Sequence, residues 1–387
     1  MQRSGQLFSF WSSKALSRID YRVIPIILAL MGISLLVIGS HAPDIHVESL
    51  GDIFKSIWVK KQLQFFALSF GVFFFFAGFD YNKLREWAWV FYLIAIFALV
   101  GLFFTGSIAR VHRWYRIPII GLGIQPSEFA KLAVVISLSW FLEKRRERSR
   151  DWSTALISGV IVGIPFLLIL KQPDLGSALV LYPITLVMFY FGGLNPLVVR
   201  LMTWFGAVVL AIVALFFLQI LSHEDIRPYA TKVLKEYQYD RLDPHNHHQM
   251  ASLTAIAVGG LTGTGWNKSE YTGGGWLPAP TTDSVFPAFG EEFGFFGLLF
   301  LMVLFYALIY VSFQVTATAK DEFGRLLSAG ISVYLAMHIL VNIGMMCGLL
   351  PITGVPLVLV TYGGSSVLFT MMALGILQSI YSRRFTF

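Results

Sequence analysis

Ten apolar runs of near-membrane length constrain this chain more than any other feature. They lie near residues 22–40, 62–79, 86–105, 126–142, 154–170, 176–193, 198–222, 287–313, 325–346 and 362–381. A helix needs about 20 apolar residues to cross the hydrocarbon of a bilayer. Composition agrees, because only 13% of the 387 residues are charged, about half the share of a soluble chain. Thirty-five Phe and ten Trp suit lipid-facing surfaces and interfacial belts. The fold class expected is an all-α polytopic membrane protein with ten transmembrane helices, forming one integral membrane domain over residues 1–387. The first run imitates a secretory signal, with Arg18 and Arg22 before it and Ser40-His41-Ala42 after it. A cut there would remove about 42 residues, more than the roughly 15–30 of ordinary signals, so it reads as an uncleaved first helix.

Lys and Arg set the direction of crossing. Arg3, Lys14, Arg18 and Arg22 precede the first run. Lys83 and Arg85, then Lys144, Arg145, Arg146, Arg148 and Arg150, then Arg200, then Lys320 and Arg325, and finally Arg383 and Arg384 fall on the same face. Both termini are therefore expected in the cytoplasm. The net charge of +7 reads as topology signal and headgroup contact with membrane lipids, not as a nucleic-acid surface. The lone Cys347 excludes an intrachain disulfide.

Two outer segments stand apart. The short loop 106–125 carries Arg110, His112, Arg113 and Arg116 without an acid. It reads either as chance or as a site for an anionic headgroup, since the arginine fork donates in pairs to phosphate. The connection between the seventh and eighth runs, about residues 223–286, is a long extracytoplasmic loop. Long irregular loops are uncommon and often functional. Ile226, Tyr229, Val233, Leu234 and Tyr237 recur there at helical spacing, which predicts an interfacial amphipathic helix. Residues 251–262 are apolar but too short to cross, so they either dip in re-entrantly or pack on the bundle.

The groups able to do chemistry gather at the outer loops and outer helix ends. Gln125-Pro126-Ser127-Glu128-Phe129-Ala130-Lys131 opens the fourth helix, with Pro126 suited to a first turn. Glu128 and Lys131 share a face and can pair. That pair is either structural or also a phosphate site, and the two roles are compatible. Asp174, in the turn Gln172-Pro173-Asp174, is either a cap for the sixth helix or part of a site. Glu291 and Glu292 are expected in the first turn of the eighth helix, where the dipole favours acids. His338 and Asn342, four apart, suit interhelical hydrogen bonds. Gly-rich segments at 351–356 and 361–366, including Ser365, permit close backbone approach and a broken helix. Asp283 differs from these acids, having no cation within four residues and lying beyond the first turn of the next helix. It is either a loop acid or a general base, and an aspartate that takes a hydroxyl proton makes a better nucleophile.

Several separate stretches resemble one family. They are Arg113-Trp114, QPSEFAKLA (125–133), QPDLG (172–176), Tyr237-Gln238 with Arg241 and Asp243-Pro244, LP…TD…F…GEE (277–292), and Asn342-Ile343-Gly344 followed by GLLPITGVPL and TYGGSS. In this order they resemble the SEDS glycosyltransferases, the RodA/FtsW/SpoVE family, and most of all its RodA-like members. The chain departs from the family pattern at Ala279, where Glu is usual, at Thr281, where His is usual, and at Ser284, where Phe is common. Val358 replaces a common Pro, and Pro244–Met250, with three histidines, does not follow the usual pattern.

The resemblance implies polymerisation of lipid II into peptidoglycan glycan strands, in the service of cell elongation and shape. It implies that Asp283 activates the 4-hydroxyl of one lipid II sugar for inverting attack on C1 of a second, with undecaprenyl diphosphate leaving. Lys131 and Arg113, with Arg241, would bind the diphosphate, supported by Glu128, Gln125, Asp174, Glu291, Glu292 and Ser365. It implies a class B penicillin-binding transpeptidase as partner. The outer acids could hold a divalent cation such as Mg or Mn, although no ligand spacing specifies one. A lipid II flippase or polyprenyl-lipid transporter, and a non-enzymatic scaffold for wall assembly, are the other readings. A transporter needs polar groups at mid-membrane or along a path through both leaflets. A reporter fused after Phe387 is expected to be active only in the cytoplasm, and one inserted near residue 245 only outside.

Overall fold

Helix starts follow capping chemistry already visible in the chain. In the computed structural model, which describes residues 11–42, 44, 51–104, 113–117, 122–218, 220, 227–228, 239, 243 and 246–385, the long helices are α1 (Val23–Ser40), α2 (Ile57–Gly78), α3 (Ala88–Gly101), α4 (Pro126–Lys144), α5 (Trp152–Lys171), α6 (Leu175–Phe191), α7 (Pro196–Phe217), α8 (His247–Gly259), α9 (Val285–Thr318), α10 (Glu322–Met346) and α11 (Gly364–Ser382). The Ser56 hydroxyl accepts from the amides of Trp58 and Val59 at the start of α2. Asp174, Asn195 and Asn246 cap α6, α7 and α8 in the same way. Each such acceptor satisfies one of the amides a helix start leaves without an internal partner.

Each of the ten apolar segments carries a helix, and α8 lies in the connection between the seventh and eighth of them. Among the described residues, seven helices, α1, α2, α5, α7, α9, α10 and α11, are long and apolar enough to cross a membrane, while α3 and α6 are shorter apolar helices. The fourth segment, α4, holds Glu128 and Lys131 inside it. The core forms where α4, α10 and α11 pack on one another. In the most apolar stretches of α10 and α11, 78% of residues are buried, against none in α7. The first two are thus the inner helices, and α7 presents its apolar surface outward. A short antiparallel ribbon, β1 (Tyr115–Ile117) with β2 (Leu122–Ile124), leads into α4. The amphipathic segment expected at 226–237 lies almost wholly outside the described residues.

The eighth run corrects one expectation. The 34-residue α9 begins at Val285 and is broken at Gly294, whose φ of 64° and ψ of −164° are not helical. Glu291 and Glu292 therefore end a first short piece of helix instead of opening the long one. At a break, the amides of residues 295 and 296 lose the carbonyls of 291 and 292, their normal partners four residues back. The chain just after α8 supplies replacements. Thr264 and Gly265 donate to the carbonyls of Glu291 and Glu292 at 2.9 and 3.0 Å, and the amides of Phe295 and Phe296 donate to Gly260 and Leu261 at 2.9 and 3.2 Å. Irregular backbone at membrane depth is tolerated where protein satisfies it in this way. The crossing is too close for side chains, since a Cβ on Gly294 would stand 2.3 Å from the Gly263 amide nitrogen.

This backbone region is open essentially to glycine alone and costs other residues about 1–3 kcal/mol. Gly294→Ala is therefore expected to lose at least that much stability. Gly32→Ala in α1, where a Cβ meets nothing within 4 Å, is expected to be neutral or to gain up to about 1 kcal/mol. Thermal unfolding of both variants in detergent checks the contrast.

Candidate functional site

Asp283 sits in a turn closed on itself and pinned from outside. The Ala279 carbonyl accepts from the amides of Thr282 and Ser284, both at 3.1 Å. The Tyr362 amide donates to the Thr281 carbonyl at 2.9 Å, and the Thr361 hydroxyl donates to that of Thr282 at 3.1 Å. The Asn342 amide group donates to the carbonyls of Asp283 and Val355 at 3.3 and 2.8 Å. Consecutive carbonyls at 281–283 are thus held by α10 and the loop before α11, while the Asp283 side chain stays half-buried. Gly354 faces it, for a Cβ there would lie 3.5 Å from Asp283 Oδ2. Ser284 is the N-cap of α9, and its hydroxyl shares a 2.7 Å hydrogen bond with Nε2 of His248 in the first turn of α8. Two helix amino ends therefore lie beside Asp283, a setting that favours negative charge.

Asp174 ties three elements together. Its Oδ1 accepts from the Ser177 amide at 3.3 Å, the cap expected from the sequence. Its Oδ2 accepts from Gln125 Nε2 and from the Ser127 hydroxyl, both at 3.0 Å. The Gln125 amide donates to the Ser365 hydroxyl at 3.0 Å, joining the start of α4 to α11. Arg113 donates from Nε to the Gln172 carbonyl at 3.1 Å and from its terminal nitrogen to that of Pro173. The same turn meets the 353–355 loop at Gly176, where a Cβ would come within 2.8 Å of the Thr353 carbonyl oxygen. Asp283, Asp174, Gln125, Ser365 and Arg113 thus gather at one end of the bundle.

Lys131 lies deeper. His338 is one helical turn from Asn342, about 6 Å along α10, and its Nε2 is 2.8 Å from Lys131 Nζ. Lys131 also donates to Glu128 Oε1 at 2.8 Å, and the Tyr334 hydroxyl donates to Glu128 Oε2 at 3.0 Å. His338 Nδ1 sits 2.8 Å from the Tyr334 carbonyl. A proton on Nδ1 satisfies that carbonyl and leaves Nε2 to accept from the lysine. Lys131 is 0% exposed, so in this conformation its charge is spent on Glu128 and His338 and meets no solvent. Spacing revealed the Glu128–Lys131 pair and the interhelical role of His338 and Asn342. Tyr334, which completes the cluster, carried no sequence signal.

Glu291 and Glu292 serve a different place. Glu291 accepts from the Tyr271 and Thr272 amides at 2.9 and 3.0 Å and from the Thr272 hydroxyl. Glu292 accepts from the Asn267 amide at 3.0 Å. The two acids order the loop between α8 and Asp283. Arg241, Arg110 and His112 lie outside the described residues. Among the described residues, no three His, Cys, Asp or Glu side chains gather as metal ligands. A cavity of about 1030 Å³ at the opposite end of α4 is lined by charged residues including Arg145, Arg146, Lys320 and Arg325. None of the groups around Asp283 borders it.

The sequence profile of the FtsW/RodA/SpoVE family, described as cell cycle protein, matches residues 21–385. Peptidoglycan glycosyltransferase MrdB of Escherichia coli K12 is 30% identical over 377 residues, covering 97% of this chain and 96% of that protein. MrdB of Helicobacter pylori is 32% identical over 336 residues, 84% of each chain. Stage V sporulation protein E of Bacillus subtilis is 31% identical over 373 residues, 94% of this chain and 98% of that protein. In fold, a chain from a peptidoglycan synthase complex aligns with a TM-score of 0.75 at 24% identity, covering 95% of this chain and 99% of its own. RodA of Thermus thermophilus aligns at 0.69 and 22% identity, covering 95% and 98%.

Removing one partner of a buried ion pair leaves an uncompensated charge and costs about 3–5 kcal/mol. Lys131→Met is therefore expected to unfold at markedly lower temperature. Adding Glu128→Gln removes the orphaned carboxylate, and the double variant is expected to recover part of the loss, as thermal unfolding in detergent can show.

Proposed function

The chain belongs to the FtsW/RodA/SpoVE family of cell cycle proteins, and from that premise we propose that it polymerises lipid II into peptidoglycan glycan strands at the outer face of the cytoplasmic membrane. Its MrdB relatives at 30–32% identity are named for peptidoglycan glycosyl transfer. The observation that carries the reading is Asp283, whose main chain is held at successive carbonyls while its side chain remains half-buried at a bundle end. A general base needs that combination of a fixed position and access to substrate. Asp174 is tied to Gln125, Ser127 and the α6 cap, and Glu128 to Lys131 and Tyr334.

In this mechanism Asp283 takes the proton of the 4-hydroxyl of one lipid II sugar. That oxygen forms a bond to C1 of a second lipid II as the bond from C1 to the diphosphate oxygen breaks. An α-linked donor becomes a β-1,4 link by one inverting displacement. Undecaprenyl diphosphate departs with its negative charge, which preorganised donors stabilise. Arg113 and Arg241 supply those donors, and Lys131 acts on the diphosphate once its grip on His338 relaxes. Gln125, Asp174 and Ser365 hold the ends of α4, α6 and α11 together around the site. Glu291 and Glu292 set the loop that leads to Asp283.

The whole chain is one integral membrane domain of the cytoplasmic membrane, with both termini in the cytoplasm and the 223–286 loop outside. The Lys/Arg asymmetry supports this orientation, since it puts Asp283 on the outer side where the strands are built. The partner is a class B penicillin-binding transpeptidase that crosslinks the strands, and a fold shared with a chain of a peptidoglycan synthase complex is consistent with it. The role is cell elongation and shape.

Asp283→Asn keeps the size of the side chain and removes its proton affinity. It is expected to insert and fold normally and to lose polymer formation by more than about 100-fold. Asp283→Glu shifts the carboxylate by about 1–1.5 Å and is expected to recover only part of the rate, since small misplacements are costly. Purified protein with labelled lipid II, with and without the transpeptidase, provides the assay. A near-normal rate in folded Asp283→Asn would sink the mechanism and leave a transporter or scaffold.

A further inference from the structure

Two polar side chains from different helices touch each other beside Asp283. The histidine-rich stretch 245–248 ends at His248, and Ser284 directly follows the aspartate. His248 Nε2 and Ser284 Oγ are 2.7 Å apart. A bulky Phe could not make this bond, and a serine without the histidine would have no such partner. The bond joins the first turn of α8 to the cap position of α9, at the residue next to the candidate base.

We propose that His248 is a positioning residue for Asp283, fixing the 283–284 backbone through Ser284 and setting, by its own charge, how readily Asp283 accepts a proton. This rests on the reading of Asp283 as general base. His248 is anchored on its own side, for its amide donates to the Asn246 cap at 3.1 Å and its carbonyl accepts from the Ser252 hydroxyl at 2.9 Å. The groups that act electrically on the ring are Asp283, from the loop before α9, and His247, from its own helix. Burial is the largest influence and pushes the imidazole below the ordinary histidine range. His247 adds to this, and Asp283 opposes it. The ring is therefore neutral at neutral pH and gains its proton only in more acidic solution. A protonated ring can only donate to the Ser284 hydroxyl, whereas in the neutral ring the direction depends on which ring nitrogen carries the proton. Its positive charge also stabilises the Asp283 carboxylate, which makes that group a weaker base.

The test uses the full-length protein with its transpeptidase partner, labelled lipid II, and variants His248→Phe, His248→Gln, Ser284→Ala and His248→Phe/Ser284→Ala. His248→Phe and Ser284→Ala are each expected to lower kcat by about 10- to 100-fold with little change in KM, as loss of alignment at a reacting centre does. The double variant is expected to be no worse than the poorer single one, because both remove the same bond. His248→Gln can still bond Ser284 and is expected to recover most of the rate at pH 8. Its fall in rate towards low pH is expected to begin at a lower pH than in the unaltered protein, because the charge that weakens Asp283 no longer forms. A scaffolding role alone would not move that profile. Superimposable pH profiles for His248→Gln and the unaltered protein, or additive losses in the double variant, would overturn the proposal. If Asp283→Asn stays active, the base reading fails instead. If Asp283→Asn is inactive and the His248 and Ser284 variants match the unaltered protein, only the role of His248 is refuted.

Discussion

Four polar side chains at the contact of α4 with α10 set the frame for the rest of the molecule. Buried charges persist only when paired and hydrogen-bonded, and Lys131, Glu128, His338 and Tyr334 meet that demand among themselves. This cluster depends on the register of the two helices, since a slide of α10 by four residues would put Gly330 or His338 where Tyr334 meets Glu128. Once α10 is fixed, Asn342 one turn further along is fixed as well. Its amide group then finds the carbonyls of Asp283 and Val355. The position of the candidate base thus derives from an ion pair deeper in the bundle. A substitution at Lys131 is expected to be felt at Asp283 even if no substrate ever touches the lysine.

Much of this arrangement could be read locally. Pro126 at a first turn, the Asp174 cap and the three-residue spacing of Glu128 and Lys131 are short-range features, and the structure contains each of them. The runs of apolar residues marked the helices to within a few positions. Tyr334 was not legible, because it meets Glu128 across 206 residues of chain and nothing local distinguishes it from another interfacial tyrosine. His338 was legible as a bonding group but not as the partner of Lys131, for the same reason.

Glu291 and Glu292 illustrate a different failure. Reading them as first-turn acids assumed that the helix began where the apolar run began. The break at Gly294 was written in the same stretch, as the repeated glycines Gly290, Gly294 and Gly297. Only the approach of a second backbone decides which glycine is the break, and that approach comes from residues 259–265. At the site itself, His248 and Ser284 each stood out as departures, but their contact required the fold.

The exchange of hydrogen bonds around Gly294 also has a mechanical meaning. An unbroken helix is a stiff lever, and tilting its far end swings its near end. Membrane helices tilt when hydrocarbon thickness and helix length disagree. In α9 the lever is cut. At the break both the piece from Val285 to Phe293 and the 24 residues from Phe295 to Thr318 are bonded sideways to the chain after α8. The amino end of α9, which follows directly from Asp283, therefore takes its position from the chain after α8 as well as from the long helix beyond the break.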